Sequence, residues 1–296
     1  MYNSNSNYEC NYDFVPFNEP HYYKKSNDDN LTGYAELKFI TQGKLYIGSG
    51  FSDETQGTFV LQTIKDYDNK PIIPASSLKG AVRNVCSAVS DGCLPIDKRN
   101  QYSMPYSDKI KCSIDNGKHC IVCDMFGMIG KGGSLASKVS FIDFKPVKYS
   151  LDIDLVNQQY SPNSKNSKYK NGSKFKGYKF YYTDCNIKKS QNLIKVEYVK
   201  QYSEFIGKVF FKNLTTDELQ LLLFACGADG YINLKIGGFK NDGFGEVACY
   251  CKDLVINNEH QADPFKWAED YQKGYGKKFK SNIEKLGDIL YPSNEN

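Results

Sequence analysis

The sequence predicts an α+β fold: a ferredoxin-like (RRM-like) βαββαβ core carrying large insertions. Three observations predict it. Apolar and polar residues alternate over several separate stretches. Two stretches between them carry apolar residues at helical spacing behind polar helix starts. The order along the chain is strand, helix, strand, strand, helix, strand.

Residues 1–32 are rich in Asn, Ser, Tyr and Asp, and are expected to form an irregular N-terminal arm. Tyr34, Glu36 and Lys38 then alternate with Ala35, Leu37 and Phe39, followed by Leu45 and Ile47, a strand broken near Gln42-Gly43. A Gly/Ser loop carrying Asp53 and Glu54 comes next. Pro71-Ile-Ile-Pro74 is rigid and extended. Ser76 and Ser77 precede Leu78, Ala81, Val82, Val85 and Val89, which predicts an N-cap and an amphipathic helix. Turns, charges and clustered cysteines fill 91–133. Alternation over 138–148 and again over 193–211 predicts strands. Thr215-Thr216-Asp217-Glu218 opens a second helix, and 231–236 and 244–256 are strands around a glycine loop. Phe265, Trp267, Tyr271, Ile283, Leu286 and Ile289 predict one or two terminal helices. The expected organisation is an arm (1–32), a core domain (33–256) with insertions at about 91–137 and 150–192, and a helical tail (257–296).

The chain has 296 residues, 40% of them apolar, enough to bury a core. No stretch approaches the roughly 20 apolar residues that span a bilayer. The opening MYNSNSNYECNYDF lacks the basic and apolar regions of a secretory signal, so the expected location is cytoplasmic, with no membrane partner. Net charge is only +4, so the placement of charge matters more than its sum. Tyr (23) and Phe (18) are abundant; they suit a base-stacking surface, or reflect A/T-rich codons. Ten cysteines without an export signal are buried thiols or metal ligands rather than disulfides.

Four segments carry chemistry. In PIIPASSLKGAVRNV, Ser76, Ser77, Lys79 and Arg83 sit in the first turns of a helix, where free N–H groups and the positive dipole end favour a phosphate. The structural alternative is a capped helix with solvated charges. In LKIGGFKNDGFGEVACY, Gly237, Gly238, Gly243 and Gly245 frame Lys240 and Phe244; the backbone there can approach phosphates, or simply turn a hairpin. In the third segment, Cys120-x-x-Cys123 is a chelating knuckle with Cys112 eight residues earlier, a start on tetrahedral zinc. His119 and Cys93 both stand as the fourth ligand; free thiols are the alternative. In the fourth, 156–183, Lys174, Lys176 and Lys179 stand among lysines interleaved with tyrosines and phenylalanines, a pattern that neutralises phosphates and stacks bases, or a solvated loop.

These segments together resemble the RAMP superfamily of CRISPR type III effectors. PIIPASSLKGAVR is similar to its proline-anchored helix start, CIVCDMFG to its C-x-x-C-x-x-F-G segment, and GGFKNDGFGEV to its glycine-rich loop. GYKFYY followed by FIGKVFFKNLTTDELQLLLFA resembles one subset of the family, and the likeness runs from about 33 to 256. One departure is Ala75, where members commonly carry Gly. The resemblance implies a backbone subunit that grips guide crRNA, with a thumb-like hairpin between guide and target RNA. Its partners would be other effector subunits and copies of itself or paralogues. It also implies that an acid in the loop after the first strand cleaves target RNA with a divalent metal. Here Asp53 fits, with Mg²⁺ as its metal. The alternatives are a scaffold subunit without a catalytic site, and an endonuclease that matures guide precursors. The latter is disfavoured because His21, His119 and His260 lie outside these segments.

Overall fold

The computed structural model describes residues 11–24, 30–55, 57–94, 102–106, 112–115, 117–130, 132–160, 167–183, 185, 187 and 190–292. Lys165, part of the basic segment above, lies outside them.

The main sheet has the order Leu234–Lys235, Glu246–Ile256, Leu31–Thr41, Glu204–Leu214, Val139–Phe141, with Lys145–Lys148 on the same edge as the last. Every pairing is antiparallel. With the short Val139–Phe141 as the second strand, the core elements follow the expected βαββαβ connectivity with the first strand central. Strand alternation gives the central strand two faces. Ala35, Leu37 and Phe39 are fully buried. Tyr34, Glu36 and Lys38 lie on the opposite face, where Glu36 meets Lys208 and Lys252, each at 3.7 Å, and Lys38 meets Glu204 at 3.5 Å.

Helix α1 (Ala75–Ala88) turns Leu78, Val82, Val85 and Cys86 inward. A short helix, α2 (Ile121–Phe126), follows within the cysteine segment. Helix α3 (Thr216–Ala225) starts with a full capping box: Glu218 N–H donates to Thr215 Oγ1 at 3.2 Å and Thr215 N–H to Glu218 Oε2 at 2.9 Å. Its Leu219, Leu221, Leu222, Leu223 and Phe224 are all buried, because α1 lies on one side and α4 (Pro264–Lys273) on the other. Tyr271 of α4 locks the layer, its ring 5.1 Å from Phe224 and its hydroxyl donating to Val89 O at 2.5 Å. The tail is thus part of the core. Its last helix, α5 (Lys280–Ile289), buries Ile283, Leu286 and Ile289.

Two expectations change. The 1–32 arm is not irregular throughout: Tyr12–Pro16 pairs antiparallel with Gly177–Tyr181, register Tyr12↔Tyr181 to Pro16↔Gly177. Lys285 pairs with Asp13, and Asn282 donates to Pro16 O at 2.9 Å and Ala88 O at 2.8 Å. Partners far along the chain, absent from any local pattern, order this polar segment. Second, the Gly/Ser loop is a hairpin. Gly48–Thr55 pairs with Thr58–Thr63, and these join Leu193–Val199 and Leu151–Asn157 in a separate four-stranded sheet. The stems of the 150–192 insertion thus share a sheet with the segment after the first strand. Tyr46, Val156, Val196, Tyr198 and Phe244 form its own small core.

A buried charge network pins α2 to the start of α3. Lys138 pairs with Asp124 and lies 3.7 Å from Glu218. Burial, reinforced by neighbouring Asp124, pushes the Glu218 carboxyl up to about 8. A carboxyl raised in the fold binds its proton there while the unfolded chain has released it. Stability therefore falls as pH rises from about 4.5 towards about 8. Glu218→Gln keeps the capping geometry and removes the titration. Denaturant melts at pH 5 and pH 8 should differ less for this variant than for the wild type, by on the order of a few kcal/mol. An unchanged pH slope would exclude Glu218 as its source.

Candidate nucleic-acid interface and metal centre

Three segments distant in sequence meet in one cleft of about 250 Å³. Helix α1 contributes Ser77, Gly80 and Asn84; strand Gly177–Tyr181 contributes Lys179 and Tyr181; the glycine-loop region contributes Lys235, Gly237 and Lys240. Residues 77, 80, 81 and 84 form one stripe of a 3.6-residue helix. Pro74, with φ −61° and ψ 140°, caps α1 without a side-chain hydrogen bond, and no acid lies in the first turn. The helix therefore starts before the serines, so Ser76 and Ser77 are inside its first turn rather than at its cap, with Ser76 exposed. Ala75 is the first helical residue and adopts no positive φ, so alanine fits there.

The loop is shaped by close backbone approach. A Cβ at Gly237 would lie 2.1 Å from Tyr46 O, and one at Gly245 would lie 2.1 Å from Ile236 O. Both residues also have positive φ, 78° and 92°. Gly238 N–H donates to Tyr46 O at 2.8 Å, while Gly243 closes the 3-10 turn at φ 81°. Lys240 folds back onto Gly237 O at 2.7 Å, and Lys235 onto Gly243 O at 3.1 Å. Burial lowers the Lys240 pKa and the Lys235 charge lowers it further. Two crowded, partly desolvated ammonium groups beside a helix N-terminus form an environment that an anion relieves. Lys179 sits over the rings of Tyr12 at 3.8 Å, Tyr181 at 4.4 Å and Tyr169 at 5.4 Å.

Beside α1, the thiols of Cys93, Cys112, Cys120 and Cys123 all lie within 4.8 Å of one another. Tetrahedral zinc with bonds of about 2.3 Å needs sulfur separations of roughly 3.8 Å, so this donor set fits zinc. Backbone amides support it: Cys120 N–H donates to Cys112 Sγ at 3.1 Å and Cys123 N–H to Cys120 Sγ at 3.4 Å. Cys93 supplies the fourth thiol of this cluster, and His119 is not part of it. His119 Nε2 is buried without a hydrogen-bond partner.

A family profile described as RAMPs, the RAMP superfamily, matches residues 36–248. The chain belongs to the RAMP superfamily. Proteins of this family are CRISPR-associated and RNA-binding, and work with RNA and other subunits. No curated protein matches the sequence. Among the described residues no helix is long and apolar enough to cross a membrane.

The remaining expected site residues of this RAMP protein divide. Lys79 turns off the cleft and donates to Ser137 Oγ at 2.8 Å and Val139 O at 3.1 Å. Arg83 stacks over Phe126 at 6.0 Å. Lys174 clamps the carbonyls of Tyr102 and Met104, both at 3.1 Å, and Lys176 is exposed beside Phe14. Phe244 is a correction: at 3% exposure it packs 5.8 Å from Tyr198 and anchors the loop, so its ring is not open to a base. Asp53 is exposed on strand Gly48–Thr55, opposite Val60. Sequence reading overlooked Asn84, which the stripe from Ser77 could have flagged, and Lys235, which no motif marks.

Cys93→Ser should lower the metal bound per chain, measured by elemental analysis of purified protein, and should lower thermal stability. His119→Ala should leave the metal content unchanged. The reverse pattern would return His119 to the ligand set.

Proposed function

We propose that this RAMP protein is a backbone subunit of a CRISPR type III effector complex, gripping the phosphate backbone of guide crRNA and facing its RNA target. The supporting observation is the cleft where Ser77 and Asn84 meet Lys179, Lys235, Gly237 and Lys240. Hydroxyl, amide and ammonium donors suit phosphate and ribose, and carry no base-edge code. In this reading the strands Leu151–Asn157 and Leu193–Val199 are the stem of a thumb between guide and target. Ser76, Arg83 and Lys176 would extend the path, with Lys79 and Lys174 positioning its walls through Ser137 and the carbonyls of Tyr102 and Met104, and zinc in the four-thiol cluster fixes the 91–137 insertion. Other effector subunits, copies of the chain or paralogues would flank it along the RNA, in the cytoplasm.

Ser77→Asp tests the grip. An acid in the first turn favours the helix dipole, so α1 should remain stable. Guide binding should fall at least tenfold for guides of unrelated sequence alike, read by filter binding at several salt concentrations. Undiminished binding would remove the cleft from the RNA path.

Target cleavage is the finer part of the proposal. Among the described residues, the four cysteines are the only cluster of three or more His, Cys, Asp or Glu side chains close enough to share a metal. Asp53 would therefore act outside any such cluster, helping to hold Mg²⁺ through water or aligning the 2′-hydroxyl for attack on the adjacent phosphate. That isolation favours, as second reading, a scaffold that binds without cutting. Asp53→Ala in the assembled complex should retain guide and target binding and lose cleavage by orders of magnitude. Equal cutting by the variant sinks the catalytic role; a wild type that never cuts with Mg²⁺ leaves the scaffold.

A further inference from the structure

A second cleft, of about 490 Å³, opens between strand Tyr12–Pro16, the 102–106 turn and the 171–176 segment. Most of its residues fall within the family match, but the wall formed by Asp13, Phe14, Pro16 and Phe17 lies before residue 36, where that match begins. Four rings line it, from Phe14, Phe17, Tyr106 and Phe175, with Lys174 and Lys176 among them. The volume falls within the range of small-ligand sites.

The walls are held in place independently of any ligand. Phe175 N–H donates to Ser103 O at 2.7 Å, and Lys174 bonds the carbonyls of Tyr102 and Met104. Phe14 is packed perpendicular to Tyr12 and, at 78°, nearly so to Tyr169, with centroids 5.8 Å away in both cases. Phe17 packs edge-to-face on Tyr178 at 4.7 Å. Asp13, the one acid of the lining, is satisfied internally by Lys285, by the Tyr182 hydroxyl at 3.2 Å and by Phe14 N–H at 2.8 Å. The Lys176 ammonium lies 6.0 Å from the centre of the Phe14 ring. Half-buried rings beside an exposed cation match a planar base joined to a phosphate.

Continuity points the same way. Lys179, Phe180 and Tyr181 line the α1 cleft, and Lys174, Phe175 and Lys176 line this one. Residues 176 and 179 are three extended steps apart, about 10 Å. One chain segment thus joins the two clefts.

We propose that this aromatic cleft is a subsite for a single unpaired nucleotide of an RNA strand whose neighbouring phosphates lie in the α1 cleft. The inference rests on the RNA-binding function proposed above and adds the class of ligand and its place. A base would stack on Phe14 or Phe175 while Lys176 takes its phosphate. In a duplex a base has its ring faces covered by stacked neighbours and its edge held by its complement, so only an unpaired, unstacked nucleotide can enter, and the subsite accepts single-stranded RNA and rejects duplex.

The test uses the full chain and a fluorescent single-stranded oligoribonucleotide carrying 2-aminopurine or a 4-thiouridine photocrosslinker. Crosslinks should map to residues 12–17, 102–106 or 174–176, and 2-aminopurine fluorescence should be quenched on binding. Phe14→Leu and Phe175→Leu keep apolar volume but remove the ring face; each should weaken binding about 5- to 100-fold. An abasic nucleotide at the crosslinked position should weaken wild-type binding similarly and cause no further loss in Phe14→Leu. If the leucine variants fold poorly by thermal melting, the abasic probe on the wild type and Lys176→Ala decide instead. RNA binding that Ser77→Asp abolishes, while crosslinks miss the cleft and the abasic probe binds normally, overturns this subsite and leaves the RNA-binding function intact. A wild-type chain that binds no RNA overturns both.

Discussion

The double pairing of strand Leu31–Thr41 is the constraint on which the rest depends. It is bonded along nearly its whole length to Glu204–Leu214 on one side and Glu246–Ile256 on the other. With both edges occupied its register cannot slip without turning Leu37 and Phe39 out of the core. Fixing that strand fixes where α1 leaves the segment after it, where α3 follows Glu204–Leu214, and where the glycine loop enters Glu246–Ile256. The two helices then share one face, and the start of α1 and the loop come together at one cleft.

The cleft derives its chemistry from backbone as much as from side chains. Gly237 lets the loop press against the Tyr46 carbonyl, and Phe244 nails its far end into the small core of the second sheet. The lysines there are folded onto loop carbonyls instead of reaching into solvent. Such a surface is preorganised for an anion, because its donors are already ordered and partly stripped of water. The same logic accounts for Lys179, held among three tyrosines beside α1.

Segments with little core of their own are stitched down at their ends. Four thiols bring Cys93, Cys112, Cys120 and Cys123 together beside α1, and α2 is short enough to need that support. The Tyr12–Pro16 strand is held by Gly177–Tyr181, by Asn282 and by Lys285 of α5. A strand from before the family match, a strand within it and a helix after it are thereby held together.

The sequence by itself determined the class of fold, the order of its elements and most of the residue types at the site. Period-two alternation at 34–39 and helical spacing at 78–89 are local patterns, and burial followed them. The Cys120-x-x-Cys123 knuckle and the 237–245 glycines were legible because short spacings constrain geometry directly. Tertiary structure alone decided which fourth thiol joins the cluster, since Cys93 comes from the far end of α1. It decided that Phe244 is an anchor, that Lys79 turns to Ser137, and that Asp53 rides a strand. It also decided that 12–16 is a strand at all. Asp53 apart, whose strand pairs with the nearby Thr58–Thr63, the deciding partner lies many residues away, and composition or periodicity within a window carries no term for a contact that only chain packing creates.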